Sequence, residues 1–478
     1  MQTMQAEGSP MMQLREAAAA VPGSRVVGAK VVDAAGIAFS RVCTDSRAVQ
    51  SGDLFIALVG ERFDAHDFLA EVAAQGAAAV MVSRLVDARP LPQLLVEDTR
   101  VALGMLAHAW RERFSIPVAA VTGSNGKTTV KEMLASIFAA QAGEEGRLAT
   151  AGNFNNDIGL PLTLLRLREG HKLAAIEMGM NHPGETASLA AIAAPTIGLI
   201  NNAQREHQEF METVEAVARE HADLLHALPA DGVAVFPADE EYSVLWREAA
   251  AGRKVLDFAL RGAGCAAQAA VTGDWQADAD GLTVDIDTPE GNLGVRLSAF
   301  GTHNARNALA ATAAALAAGV SLEVVRDGLE NFTPVKGRLQ RKAGPGGAVI
   351  VDDTYNANPD SVRAAIDVLA AMPAPRALIL GDMGEVGSRG DEFHAEVGAY
   401  AKARGIQALL AVGPMSRQAC EAFGAGATHF LDMDVMLAAL PGALRALTGG
   451  GVNSILVKGS RFMRMERTVE SLCSGATK

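Results

Sequence analysis

The chain has 478 residues, 49% hydrophobic but only 5% aromatic, and a formal net charge of −13. At about 150 residues per domain, that length predicts about three domains, with an Ala-, Val- and Leu-rich apolar mass suited to α/β layers. The negative balance argues against nonspecific binding to nucleic acid or anionic membranes, so anionic substrates must meet local positive sites and no nucleic-acid partner is expected.

Cys43, Cys265, Cys420 and Cys473 are scattered, with no Cys-x-x-Cys pair. They read as reduced thiols of a cytoplasmic protein, and as neither a zinc site nor a disulfide framework. No apolar run approaches the roughly 18 residues of a membrane span. The first residues lack a basic segment followed by a long apolar one, so no signal peptide is expected. Met1 to Pro10 reads as a flexible tail.

A first α/β unit is expected over residues 1–98. Cys43-Thr44-Asp45-Ser46-Arg47 precedes a turn and a buried strand at Leu54 to Leu58, then a helix and a strand at Val80 to Val82. On their own, Ser46 and Arg47 are turn residues, and His66 is a surface or packed histidine. These residue types assign the unit no job.

The second unit is expected over residues 99–333, entered by a helix near Arg100 to Arg113. The run Val118-Ala119-Ala120-Val121-Thr122 leads into Gly123-Ser124-Asn125-Gly126-Lys127-Thr128-Thr129, after which Val130, Met133, Leu134, Ile137 and Phe138 recur at helical spacing. Strand, glycine loop and helix in that order place backbone N–H groups and a helix dipole where they cradle a polyphosphate. Lys127 is suited to the terminal phosphates and the Thr128 hydroxyl to a bridging Mg²⁺. The usual phosphate loop carries glycine at position 121, where this chain has Val121. Strands at Lys172 to Ile176 and Pro195 to Ile200 then predict a parallel sheet with Lys127, Glu177 and His207 just past its strand ends, where such sheets bind ligands. Glu177 offers the hard oxygen that Mg²⁺ prefers, whereas His207 taken alone reads as structural. Asn153, Asn155 and Asn156 in Gly152 to Pro161 read equally as turn formers and as uncharged donors to oxyanions. Alternating strands near Leu282 to Ile286 and Leu293 to Leu297 precede an Ala-rich helix from about Gly301. Its Asn304 and Asn307 share a face, either as a cap or as a grip on a base edge.

Phe332 to Arg338 reads as a linker, and the third unit is expected over residues 334–478. Strands at Ala348 to Asp352, Ala377 to Leu380, Ala408 to Val412, Thr428 to Leu431 and Ser454 to Val457 alternate with helices, a doubly wound Rossmann-like pattern. Polar groups again follow strand ends: Asp352 to Pro359, Gly381-Asp382-Met383-Gly384-Glu385, and Lys458-Gly459-Ser460-Arg461. They predict a second rim facing the first across a cleft.

Thr122 to Thr129, Glu177-Met178-Gly179, Asn304-Ala305-Arg306-Asn307, Gly337-Arg338 and Lys458 to Arg461 occur in the order shown by the Mur ligase and folylpolyglutamate synthetase superfamily, which the chain resembles from Asp45 to Arg461. Within it, Gly152 to Gly159, Asp353 to Pro359 and Leu380 to Glu385 resemble the branch that adds D-alanyl-D-alanine to UDP-N-acetylmuramoyl-tripeptide. The resemblance implies a three-domain α/β ligase using ATP and Mg²⁺, with Lys127, Glu177, His207, Arg338 and Asp353 catalytic. It assigns Gly123, Ser124, Asn125, Gly126, Lys127, Thr128, Thr129, Asn304, Asn307 and Arg338 to ATP, and Thr128, Glu177 and His207 to the metal. Asp45, Ser46, Arg47, Asn155 and Asn156 fall to the UDP substrate. Asn356, Asn358 and Asp382 are candidates for the dipeptide. A monomer is the default expectation.

Several relatives carry a carbamylated lysine in a Val-Ala-Lys-x-Lys pattern. The matching stretch here is Val217-Ala218-Arg219-Glu220-His221, so either Glu220 or His221 is expected to supply that second-metal function, or the second metal is held mostly by ATP. The rival branch, which adds diaminopimelate or lysine, usually has an arginine soon after the Asn-Pro pair; here Asn358-Pro359 is followed by Asp360-Ser361. Folylpolyglutamate synthetase does not need the Asp45 region. A non-catalytic nucleotide-sugar sensor has no need of Lys127, Glu177 and His207 together.

Overall fold

A computed structural model describes residues 10–28, 33–86, 91–262, 269–278 and 280–475. The expected N-terminal tail, apart from Pro10, and Cys265 lie outside those residues. Cys43, Cys420 and Cys473 are free thiols. Among the described residues no helix is long and apolar enough to cross a membrane.

The first unit is built on a five-stranded sheet in the order Arg25–Val27, Gln93–Leu95, Ala79–Val82, Asp53–Ile56, Arg41–Cys43. Alternate residues of a strand face opposite sides. Phe55, Val80 and Val82 therefore pack on Leu69 and Val72, while Leu54, Ile56 and Met81 meet Leu103, Leu106 and Trp110 of the helix Thr99–Arg111. That helix also covers Val118, Ala120, Ala174 and Ile176 of the next sheet. One core thus runs through both units and holds the first against the second.

The central sheet is parallel throughout, in the order Lys254–Val255, Val233–Val235, Ile197–Ile200, Val118–Thr122, Leu173–Glu177, Arg147–Ala149. Ala119 and Val121 face Met133, Leu134 and Ile137 of the helix Lys127–Ala142. The chain passes to opposite sides of Val118–Thr122 in its successive crossovers, so a ligand crevice is expected at that strand's carboxyl end. In register, Thr122 lies beside Ile200, and Val121 beside Glu177. A separate four-stranded sheet follows, Phe258–Leu260, Val271–Ala277, Leu282–Thr288 and Gly291–Leu297. Its apolar face packs with the Ala-rich helix Thr302–Ala317.

The third unit holds a six-stranded sheet in the order Gln340–Ala343, Val349–Asp353, Ser454–Lys458, Arg376–Gly381, Ala408–Val412, Ala427–Phe430. Residues of alternate parity feed two cores. Leu378 and Leu456 meet Val362, Ile366 and Phe393 on one face, and Ile379 and Val457 meet Met436, Leu440 and Val469 on the other. That is a doubly wound sheet. Its edge strand Gln340–Ala343 runs antiparallel and is not anticipated by the sequence, because Gln-Arg-Lys-Ala shows no buried apolar face.

Candidate active site at the meeting of two strand-end rims

The phosphate loop is held by the segment that follows the neighbouring strand. Ser124 N–H donates to Asn202 O at 3.1 Å, and Asn125 N–H to Asn202 Oδ1 at 2.8 Å. The Asn125 amide donates to Gln204 Oε1 at 2.6 Å. Gly126 has φ +82°, and a Cβ there would lie 2.5 Å from Asn201 Nδ2 and 2.6 Å from Asn307 Oδ1. Only glycine suits both the left-handed backbone and the close approach. Lys127 opens the helix and folds back, its Nζ 2.5 Å from Gly123 O and 3.2 Å from Glu206 Oε2.

Glu177 ends its strand and is 2% exposed. Its Oε1 accepts from Thr128 Oγ1 at 3.2 Å and from Asn155 Nδ2 at 2.8 Å, and its own N–H donates to Thr150 Oγ1 at 2.9 Å. Lys131, fully buried one turn after Lys127, donates to Thr150 O at 2.7 Å. Glu177 Oε2 is buried without a hydrogen-bond partner among the described residues. An unpartnered buried carboxylate oxygen beside a hydroxyl suits a hard divalent cation. No three His, Cys, Asp or Glu side chains form a ready-made metal cluster among the described residues. His207 has φ +47°. Its Nδ1 lies 2.6 Å from Glu385 Oε2, across the domain junction, and its Nε2 3.8 Å from Glu206 Oε2.

Glu206 was not singled out by any sequence pattern, yet it sits among these groups. Burial opposes its charge, but Lys127, with His221 and His207, outweighs burial and holds the carboxyl at about 2. The expectation for Glu220 and His221 is corrected. The Glu220 oxygens accept from Gly184 N–H at 2.8 Å and Thr186 N–H at 2.7 Å, tying down the start of the helix Glu185–Ala193. His221 is fully buried between Thr122 Oγ1 and Glu206 Oε1. Neither lines the cavity.

Asn304 and Asn307 do share a face, and they bind each other. Asn307 Nδ2 donates to Asn304 Oδ1 at 3.1 Å, Asn201 Nδ2 to Asn307 Oδ1 at 2.9 Å, and Asn304 Nδ2 to Phe300 O at 2.8 Å. The pair thereby buttresses Gly126 while still lining the cavity. Glu240 lines the same wall; burial pushes its carboxyl up to about 7, against the pull of Arg306.

From the third unit, Arg338 Nη2 donates to Thr128 Oγ1 at 3.0 Å, with its guanidinium 4.1 Å from the Tyr355 ring centre. Asp353 Oδ2 lies 2.5 Å from Lys458 Nζ, which also donates to Asn356 O at 2.9 Å. Asn358 caps the helix Pro359–Ala370 through Ser361 N–H at 2.8 Å, and its Nδ2 donates to Asn125 Oδ1 at 3.0 Å. A dipeptide candidate therefore also joins this unit to the phosphate loop. Asp382 is corrected: it is 1% exposed, accepts from Ser416 N–H at 2.7 Å and Met415 N–H at 3.2 Å, and does not line the cavity. Asp45, Ser46 and Arg47 lie on an exposed turn outside it, Asp45 and Arg47 paired at 2.8 Å. Asn155 and Asn156 line it, Asn156 also capping through Gly159 N–H at 2.9 Å.

The cavity has a volume of about 1060 Å³ and is lined from both rims. Besides Glu206, sequence reasoning missed Lys131, Asn201, Asn202 and Gln204. Asn201 and Asn202 directly follow a predicted strand, a positional signal that was available; Glu206 offered none.

A phosphate loop facing a second strand-end rim across one cavity defines a class, the nucleoside-triphosphate enzymes whose site is completed by another domain. The chain belongs to the Mur ligase family. Three family models match: "Mur ligase family, catalytic domain" over residues 38–111, "Mur ligase middle domain" over 121–315, and "Mur ligase, glutamate ligase domain" over 337–461. UDP-N-acetylmuramoyl-tripeptide–D-alanyl-D-alanine ligase of Escherichia coli strain K12 is 41% identical over 443 residues, 93% of this chain and 96% of the relative. A crystal structure of MurF from Acinetobacter baumannii superposes with TM-score 0.89 at 34% identity, covering 98% of this chain and 99% of that one. MurF ligase from Thermotoga maritima in complex with ADP gives TM-score 0.79 at 27% identity, covering 91% and 98%.

Proposed function

We propose that this chain joins D-alanyl-D-alanine to UDP-N-acetylmuramoyl-tripeptide at the expense of ATP, the last cytoplasmic step of the peptidoglycan pentapeptide precursor. The observation that carries it is the contact of Arg338 and Asn358 with Thr128 and Asn125: a second rim meets the phosphate loop within hydrogen-bond reach. The E. coli relative's match over nearly the whole chain supports the choice of substrates. The reading places the UDP-sugar on residues 1–98 through Asp45, Ser46 and Arg47, ATP on 99–333, and the incoming amine on 334–478. The chain acts as a monomer in the cytoplasm.

A carboxylate resists attack by an amine, because its carbonyl is a weak electrophile and oxide a poor leaving group. Phosphorylation removes both obstacles. The tripeptide carboxylate takes the γ-phosphoryl group as the bond to ADP breaks, giving an acyl phosphate. The dipeptide amine then attacks, and the tetrahedral oxyanion collapses with loss of phosphate. In the first step two anions approach, so the chain must supply position and positive charge. Lys127 holds the γ-phosphate, and Arg338, beside Thr128, brings the charge of the third unit to it. Mg²⁺, held by Glu177, Thr128 and His207, would neutralise charge on the transferring group. Closure of the two rims over the bound substrates would keep water from the acyl phosphate.

Phosphate release from ATP, with tripeptide and dipeptide omitted in turn, tests the reading. Release is expected only with both present. Equal release with a free diamino acid in place of the dipeptide would move the chain to the amino-acid-adding branch.

A further inference from the structure

Glu206 lines the cavity between two groups given above to phosphate and metal. Its Oε2 lies 3.2 Å from Lys127 Nζ and 3.8 Å from His207 Nε2, and its Oε1 lies 3.1 Å from His221 Nε2. His221 is fully buried, with Nδ1 3.0 Å from Thr122 Oγ1, on the last residue of the strand that feeds the phosphate loop. Thr122, His221, Glu206 and Lys127 therefore form one continuous polar chain anchored in the sheet.

A carboxylate this close to the lysine that grips the γ-phosphate must share that lysine with the phosphate. Two anions on one cation repel at such range unless more positive charge joins them. His207, on the Oε2 side of Glu206, is positioned to help bring it.

We propose that Glu206, aimed by His221, is the built-in carboxylate of the γ-phosphate pocket. It presets Lys127 and, with His207, faces a divalent cation, so the site needs no lysine modified by carbon dioxide. The proposal rests on the ligase reading for its place in the reaction. Glu206 acts there as a positioning residue, an ordinary side chain carrying the negative charge that a carbamate would otherwise add.

The test measures Mn²⁺ binding by paramagnetic resonance in the full-length protein with β,γ-methylene ATP present. Glu206→Gln is expected to weaken Mn²⁺ about 10–100-fold while metal-free binding of the analogue stays the same or tightens, since a competitor for Lys127 is gone. His221→Gln keeps the carboxylate but frees it, and is expected to cost about tenfold. If Glu206→Gln does not fold, Glu206→Asp keeps the charge, moves it by one methylene, and is expected to weaken Mn²⁺ in the same way. Wild-type turnover is expected to be equal in carbon-dioxide-depleted and bicarbonate-supplemented buffer. Unchanged Mn²⁺ affinity in the folded variants overturns the proposal, as does wild-type turnover that falls on depletion and recovers with bicarbonate. The Mn²⁺ titration contains neither tripeptide nor dipeptide, so its outcome is separate from that of the ligase assay.

Discussion

The two rims are built from similar residue types and differ in what those residues are left to do. At the central sheet, Glu177 keeps one buried oxygen without a hydrogen-bond partner among the described residues, and so does Asn201. Lys127 rests on loop carbonyls, partners that a phosphate can replace, and on Glu206. At the third unit's sheet the polar groups are largely matched within the fold: Asp353 with Lys458, Asp382 with two backbone N–H groups, and Ser460 Oγ with Ala357 O and Gly384 N–H. A polar side chain at a strand end is therefore not by itself a ligand group. Unmatched hydrogen-bonding capacity marks the central rim for chemistry, while Arg338 and Asn358 mark where the other rim reaches over to it.

The comparison breaks most directly at Lys127. Lys127→Ala should lower phosphate release by about 10³-fold or more and leave binding of the UDP-substrate intact by calorimetry; retained turnover would place the phosphate site elsewhere. Glu240, at the central rim, tests the buried charge. Its folded-state carboxyl, at about 7, lies above the unfolded value of 4.5. The folded form thus holds the proton more tightly, and the associated stability is complete below the unfolded value and lost as pH rises through the folded one. Urea unfolding should show the wild type losing up to about 3 kcal/mol between pH 4 and 8 beyond the loss in Glu240→Gln. Identical pH slopes for the two proteins would show that Glu240 ionises freely.

For the third unit, the expected effects are structural. Asp382→Ala leaves the Ser416 and Met415 N–H groups unpaired, so it should cost about 1–3 kcal/mol of stability with kcat per folded molecule unchanged. A fall in kcat at full stability would return Asp382 to the dipeptide site. The smallest effect is expected from Asn358→Ala. Loss of its cap costs about 1 kcal/mol, and loss of its bond to Asn125 should raise the KM for ATP more than it lowers kcat.

Much of the scaffold was legible before any coordinates. Strands such as Val118–Thr122 and Ala408–Val412 are short apolar runs bounded by turns, and helices such as Lys127–Ala142 repeat apolar residues at helical spacing. The edge strand Gln340–Ala343 was not legible, since an exposed polar strand carries no apolar pattern. Asn304 and Asn307 were correctly paired on one face; that they clasp each other and Gly126 depended on Asn201 arriving from another strand.

The sequence by itself determined the phosphate loop, because strand, glycines, lysine and helix are neighbours along the chain and their geometry is local. It likewise placed Glu177 and Lys458 at strand ends, since the end of an apolar run can be counted. Only the tertiary structure decided that Glu206 sits against Lys127 with His221 behind it, that Glu220 caps a helix, and that Asp382 supports a turn. Those roles depend on which groups from distant segments meet and which hydrogen bonds remain unmade, and these are properties of packing rather than of residue order.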